Sequence, residues 1–66
     1  MTTHIYPQTH NAYNHISAVL NGMNKEVIKY DTDMVITIVN CDATQAWEYL
    51  VINGVNPASF KFDCYE

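Results

Sequence analysis

Three histidines, His4, His10 and His15, are the side chains of this 66-residue sequence best suited to binding a metal ion. A zinc site needs about four ligands that converge tetrahedrally. His10 precedes the first predicted helix, whereas His15 lies inside it on the side away from Ile16, so the two histidines do not share a helix face. We therefore expect exposed histidines, no metal site and no cofactor.

Cys41 lies directly before the second predicted helix, where the helix dipole lowers the pKa of a thiol. The neighbouring Asp42 carboxylate opposes thiolate formation, and the sequence lacks a Cys-x-x-Cys motif for metal handling. We expect Cys41 to be a small buried residue. Asp31 and Asp33 are close enough to form a general acid–base pair, but a tight turn explains both of them. The sequence therefore predicts a protein that is not an enzyme.

Nucleic-acid binding is disfavoured by charge. The formal net charge is −4 at pH 7, and the three basic residues are all lysines, so the arginine fork that grips phosphate is missing. Tyr6, Tyr30 and Tyr65 could stack on bases, although Tyr30 is expected beneath a helix if it shares a face with Ile28. We expect no direct contact with nucleic acid, because an acidic surface repels phosphate.

The N-terminal residues lack the basic segment and apolar run of a signal peptide. The longest apolar stretch, residues 34–39, is far shorter than the ~20 residues that span a membrane. Cys41 and Cys64 are expected as buried free thiols at opposite edges of a sheet, too far apart for a disulfide. These features predict a cytoplasmic protein that does not bind membranes.

The elements that must position these residues alternate in the order strand, helix, strand, strand, helix, strand. Strands are predicted over 2–6, 26–30, 34–40 and 59–65, and a helix over 11–21 with Thr9 or Asn11 as N-cap and Gly22 as the left-handed residue after its end. The second helix begins after Asp42 and is ended by Asn53-Gly54. Its core-facing stripe is expected to comprise Ala43, Ala46, Trp47, Leu50 and Val51.

This order predicts a single small α+β domain over residues 1–66, with the ferredoxin-like βαββαβ arrangement of two helices on one face of a small antiparallel sheet. The ferredoxin-like strand order, 4-1-3-2, makes the first strand central, yet residues 2–6 are only weakly apolar. An αββαβ protein with a three-stranded sheet and an irregular N-terminus is therefore the alternative.

Protein binding is the function that these exclusions leave. Acidic residues and exposed side chains on the second helix are expected to contact a protein partner; the candidate residues are Glu26, Asp31, Asp33, Glu48, Tyr49 and Ile52. Asp31 and Asp33, with Glu26 nearby, are expected to form an acidic patch. Tyr49 and Ile52 project away from the Trp47 stripe and form an interface candidate.

No motif in the sequence is diagnostic of one family. In size, acidity and composition the chain resembles the small inhibitors that bacteriophages encode, including anti-CRISPR proteins. That resemblance implies a protein in the host cytoplasm that occludes a basic, nucleic-acid-handling surface of a host enzyme or complex, and it assigns no residue. The alternative is a structural or assembly subunit that self-associates, for example as a homodimer, through exposed sheet edges.

Overall fold

The first strand is one of the two inner strands of the sheet, although its sequence is the least apolar of the four strands. The computed structural model describes residues 1–65. In it β1 (Thr2–Pro7) pairs antiparallel with β3 on one side and with β4 on the other. Thr3, Ile5 and Pro7 are buried on one face of β1. The Thr3 hydroxyl, fully buried, donates to the Cys41 carbonyl at 2.7 Å, so this polar side chain is accommodated without an unpaired group.

The remaining elements follow the predicted order. They are α1 (His10–Leu20), β2 (Val27–Tyr30), β3 (Val35–Val39), α2 (Ala43–Ile52), a short 3-10 turn (Pro57–Ser59) and β4 (Phe60–Tyr65). The strand order is β2-β3-β1-β4, and every neighbouring pair is antiparallel. The prediction of two helices and a small antiparallel sheet is confirmed, and the three-stranded alternative is wrong because β1 pairs with a strand on each side.

Both helices cover the same face of the sheet, and the core lies between them and it. The buried apolar residues come from the inward row of the strands, from both helices and from the loops beside them: Ile5, Tyr13, Ile16, Leu20, Ile36, Ile38, Cys41, Ala46, Leu50, Val55 and Phe60. This set follows from the period of two along the strands and of 3.6 along the helices.

Two predicted boundaries differ from the structure for backbone reasons. Met34 and Asn40 adopt positive φ angles of 54° and 57°, so β3 is shorter than the predicted strand by one residue at each end. After α1, Asn21 is right-handed and Gly22 does not take the left-handed conformation expected of it. The glycine with a positive φ is Gly54, at 90°, which follows α2.

Trp47 was expected in the core but keeps 38 % of its surface exposed. The helix packs on the sheet through Ala46 and Leu50, which are buried. Trp47 is one position beyond Ala46 and therefore lies on the flank of the helix, about 100° away. It is not among the side chains that form the core or pack against it.

The two cysteines are free, as expected, but the prediction that they lie at opposite edges of the sheet is wrong. Because β3 and β4 are both antiparallel to β1, they run in the same direction and end at the same end of the sheet. Cys64 is the register partner of Thr3, and Thr3 also donates to the carbonyl of Cys41. Cys41 is buried, as predicted. Cys64 was also predicted to be buried, but it is exposed.

Candidate functional site

A surface groove of about 370 Å³ lies between the outer face of α2 and the loop that joins α1 to β2. Its lining residues are Met23, Asn24 and Lys25 from the loop and Gln45, Glu48, Tyr49 and Ile52 from the helix. We call this feature the α2 groove. It contains three of the six residues that the sequence predicted for partner binding.

The outer face of α2 is positioned by the cap of the helix. The Asp42 carboxylate accepts a hydrogen bond from the backbone N–H of Gln45 at 2.7 Å, which fixes where the helix starts. The four groove residues of α2 span about 100° around the helix axis and so share one side of the helix. Ala46 and Leu50 are buried on another side, so Gln45, Glu48 and Ile52 are exposed, whereas Tyr49 is half-buried at the margin of this side.

Tyr49 supplies an aromatic side chain to the lining of the groove. Its side chain is half-buried and packs against the core. A Cβ atom added at Gly22 would lie 3.0 Å from the Tyr49 hydroxyl oxygen, so a side chain at position 22 would crowd the end of this ring. Gly22 leaves space for the Tyr49 hydroxyl, and its backbone does not take a left-handed conformation.

Ile52 is the most exposed large apolar side chain described, with 82 % of its surface accessible. It is the last residue of α2 and lines the groove together with half-buried Met23. A single exposed isoleucine is ordinary on a protein surface, but this one lines a concavity that also contains an aromatic side chain, Tyr49. Shape and apolar surface coincide at this point of the molecule.

Charges border the groove on both sides. Glu48 is exposed on α2. On the loop, the Lys25 amine donates to the Asn40 carbonyl at 2.6 Å, which fastens the loop to the end of β3. Glu26 is exposed and directly follows Lys25 in the chain, so it lies next to the groove.

The other predicted acidic residues lie elsewhere. Asp31 and Asp33 are in the β2–β3 turn, and Glu26 precedes the opposite end of β2. The rise of a strand puts Glu26 and Asp31 roughly 16 Å apart. The candidate residues thus fall into two separate places: the α2 groove with Glu26 beside it, and the hairpin turn.

Asp31 also has a structural role. Its carboxylate accepts a hydrogen bond from the hydroxyl of Tyr13, a buried residue of α1. This hydrogen bond, together with burial, raises the pKa of Tyr13. The sequence could not indicate this contact, because the two residues are 18 positions apart in the chain.

The face of the sheet away from the helices carries an aromatic row. The register pairs Ile28 with Thr37 and Tyr30 with Val35, so both side chains lie on this open face. The expectation that Tyr30 and Ile28 pack beneath a helix is therefore wrong. On the same face His4 contacts Tyr65 edge to face, with ring centroids 5.1 Å apart. Desolvation by burial raises the pKa of Tyr6, and Asp63 raises it further.

The surroundings of Cys41 oppose ionisation of its thiol. Burial raises the pKa of the Cys41 thiol, and the Asp42 carboxylate adds to this effect, so the reactive thiolate is disfavoured. No three His, Cys, Asp or Glu side chains among residues 1–65 come close enough to hold a metal ion.

Sequence reasoning found the helix side of the groove but missed the loop side. Met23, Asn24 and Lys25 meet α2 only through tertiary packing, which leaves no local pattern in the sequence.

Within residues 1–65 no helix is both long and apolar enough to cross a membrane. Comparisons with protein-family models, with curated proteins and with solved structures gave no match to this chain.

Proposed function

We propose that this protein is a non-catalytic protein-binding module that holds a partner through the α2 groove. The observation that carries the proposal is the position of Ile52, which is 82 % exposed and lines a concave surface together with Tyr49. A partner side chain inserted there would cover Ile52 and contact the tyrosine ring, an aromatic residue of the kind enriched at binding hot spots.

The charges favour a basic partner. The chain carries a formal charge of −4, and Glu48 and Glu26 are exposed in or beside the groove. Such a surface attracts basic patches over a distance and steers their encounter. This supports the role of a phage-type inhibitor, comparable in kind to anti-CRISPR proteins, that covers a basic, nucleic-acid-handling surface of a host enzyme in the host cytoplasm.

The architecture suits such a module. The strand order β2-β3-β1-β4 with every neighbouring pair antiparallel supports assignment to the ferredoxin-like class. In this arrangement α2 rests on the sheet with one face and leaves the other to a partner. No cofactor, metal ion, membrane or direct nucleic-acid contact is part of the proposal.

The test is capture of partners from a bacterial lysate at low salt on the immobilised protein. We expect a protein that is retained by the native chain, lost with Ile52→Asp and kept with Tyr30→Asp, which places the same charge on the opposite face of the sheet. Retention that survives Ile52→Asp, or an absence of any retained protein, contradicts the proposal.

A second candidate is an assembly subunit whose copies join through sheet edges. One observation favours it: β4 is an edge strand that is exposed from Lys61 to Tyr65. Unpaired backbone groups on such an edge are available to another strand. Sedimentation over a range of concentrations tests this role, which requires species larger than the monomer.

A further inference from the structure

Strand β4 has a free backbone edge within the described chain. It pairs with β1 on one side and ends the sheet on the other. All its residues after Phe60 are exposed. The opposite edge, β2, has only four residues, so β4 offers the longer surface for pairing.

The backbone groups that point outward from β4 can be identified from one hydrogen bond. The N–H of Gln8 donates to the carbonyl of Ser59 at 2.9 Å, one step beyond the paired residues Pro7 and Phe60. Hydrogen-bonded and non-hydrogen-bonded pairs alternate along an antiparallel ladder. The residues that bond to β1 are therefore Lys61, Asp63 and Tyr65, and those that direct N–H and C=O groups to the free edge are Phe60, Phe62 and Cys64.

We propose that a second copy of this chain pairs antiparallel with β4, with Phe62 of one copy opposite Phe62 of the other. A two-fold axis perpendicular to the sheet relates the copies, so the helices of both lie on the same face of one continuous sheet. In this register Lys61 of each copy is opposite Asp63 of the other, which brings opposite charges together twice. These are non-hydrogen-bonded pairs, in which the Cα atoms approach to about 4.5 Å and the side chains are closest.

Charge selects this register over its neighbours. A shift that centres the axis on Lys61 places two lysines opposite each other, and a shift to Asp63 places two carboxylates there. Each shift also reduces the ladder from about six hydrogen bonds to about four. A register shift by an odd number of residues would place side chains that face the helices in one copy opposite side chains on the open face of the sheet in the other. The register centred on Phe62 therefore satisfies both the backbone hydrogen bonds and the side-chain pairs.

The pairing closes on itself. The dimer uses both β4 edges and leaves only the two β2 edges. On β2, the Val39 N–H donates to the Glu26 carbonyl at 3.0 Å. By the same alternation, Val27 and Lys29 are the residues that direct their backbone groups to the free edge. A short edge with a lysine resists further pairing. The proposed dimer therefore uses the same β4 edge as the assembly candidate, but it contains only two copies. No β4 residue lines the α2 groove.

The contact is small, since six residues of each copy take part, and it falls short of a standard interface. We therefore expect a dissociation constant between about 10 µM and 1 mM. At that strength the dimer forms only at high protein concentration or where copies are held close together.

The first measurement is amide hydrogen exchange by NMR on the native chain at low and high protein concentration. We expect the N–H groups of Phe60, Phe62 and Cys64 to exchange about two- to sixfold more slowly at about 1 mM than at about 20 µM, because the monomer fraction falls by that factor for dissociation constants in this range. Those of Lys61, Asp63 and Tyr65 are protected equally at both concentrations. Equal exchange rates of the first group at the two concentrations, or sedimentation as a monomer at 1 mM, overturn the proposal.

The second measurement fixes the register by charge reversal. K61D and D63K each replace two attractive pairs with two repulsive ones, so each variant alone should sediment as a monomer at the concentration where the native chain dimerises. A mixture of the two variants should dimerise again, because every cross-strand pair is then Asp against Lys, although both variants remain net negative. A mixture that stays monomeric overturns the register. Ile52→Asp should leave dimerisation unchanged, so failure of the groove and failure of this pairing are distinguished.

Discussion

The hydroxyl of Tyr13 donates a hydrogen bond to the carboxylate of Asp31 and so joins α1 to the turn between β2 and β3. Tyr13 is buried, and its hydroxyl would lack this partner without the turn. The acidic turn of the hairpin therefore serves the fold, and the partner surface that we propose lies elsewhere, on α2.

We expect Asp31→Ala to lower the free energy of unfolding by about 1–3 kcal/mol, because it leaves a partly buried hydroxyl without its partner. Tyr13→Phe should lower it less, and Asp31→Ala should have little further effect in the Tyr13→Phe background. Urea unfolding of the two single variants and the double variant measures this coupling. Additive effects would show that the hydrogen bond does not stabilise the protein.

The same contact predicts a dependence on alkaline pH. The pKa of Tyr13 is raised in the folded state from an ordinary value of 10.0, so its contribution to stability is complete below pH 10 and is lost as the pH rises through the folded-state pKa. The pKa values of Tyr6 and Cys41 are raised as well and add to this loss. Tyr13→Phe should therefore lose less stability than the native protein between pH 9 and 11. Equal losses in the two proteins would contradict this assignment.

Periodicity predicted the elements and much of α2, because local patterns encode them. Asp42 was assigned to the cap of the second helix and Gln45 and Ile52 to its exposed face, and the structure places them there. Tyr49 was expected to be exposed beside Ile52, but it is half-buried and packs against the core. The position of β1 in the sheet was harder to predict, because its sequence is only weakly apolar. Thr3 is polar but buried, and its hydroxyl forms a hydrogen bond to the Cys41 carbonyl.

Contacts between distant segments could not be predicted. The proximity of Cys41 and Cys64 to Thr3 depends on two strands running the same way on either side of β1. The exposed position of Tyr30 depends on the register of β2 with β3. Neither relationship leaves a trace in the residues nearby.

Thr3→Val tests how the central strand tolerates a polar residue. The substitution keeps the shape of the side chain but removes the hydroxyl that donates to the Cys41 carbonyl at 2.7 Å. The carbonyl oxygen then loses this hydrogen bond. We expect a loss of about 1–3 kcal/mol in the free energy of unfolding. Thr2→Val, one residue earlier and only partly buried, should change it by less than about 0.5 kcal/mol. Equal effects at the two positions would contradict a role for the hydrogen bond.

Gly22 and Tyr49 should be coupled. Replacing a glycine that has an ordinary backbone conformation by alanine stabilises a protein by about 0.4–1 kcal/mol. We expect that gain for Gly22→Ala in the Tyr49→Phe background, where the hydroxyl that would lie 3.0 Å from the new Cβ is gone. In the native background the gain should be reduced or reversed. Thermal unfolding of the four proteins measures the coupling, and an identical effect in both backgrounds would show that the two groups do not meet.

The two thiols should react at different rates. Cys64 is exposed, whereas Cys41 is buried with a raised pKa. With iodoacetamide at pH 8, mass spectrometry should find Cys64 modified first and Cys41 protected until the protein unfolds. Equal rates in the folded protein would contradict the burial of Cys41.

The central claim is that Ile52 and Tyr49 contact a partner in the α2 groove, and photo-crosslinking at position 52 tests it most directly. With the photo-reactive amino acid p-benzoylphenylalanine in place of Ile52, illumination in a bacterial lysate should give one discrete adduct with another protein. The same amino acid in place of Tyr30, on the opposite face of the sheet, should give none. No adduct from position 52, or the same adduct from both positions, would contradict the account.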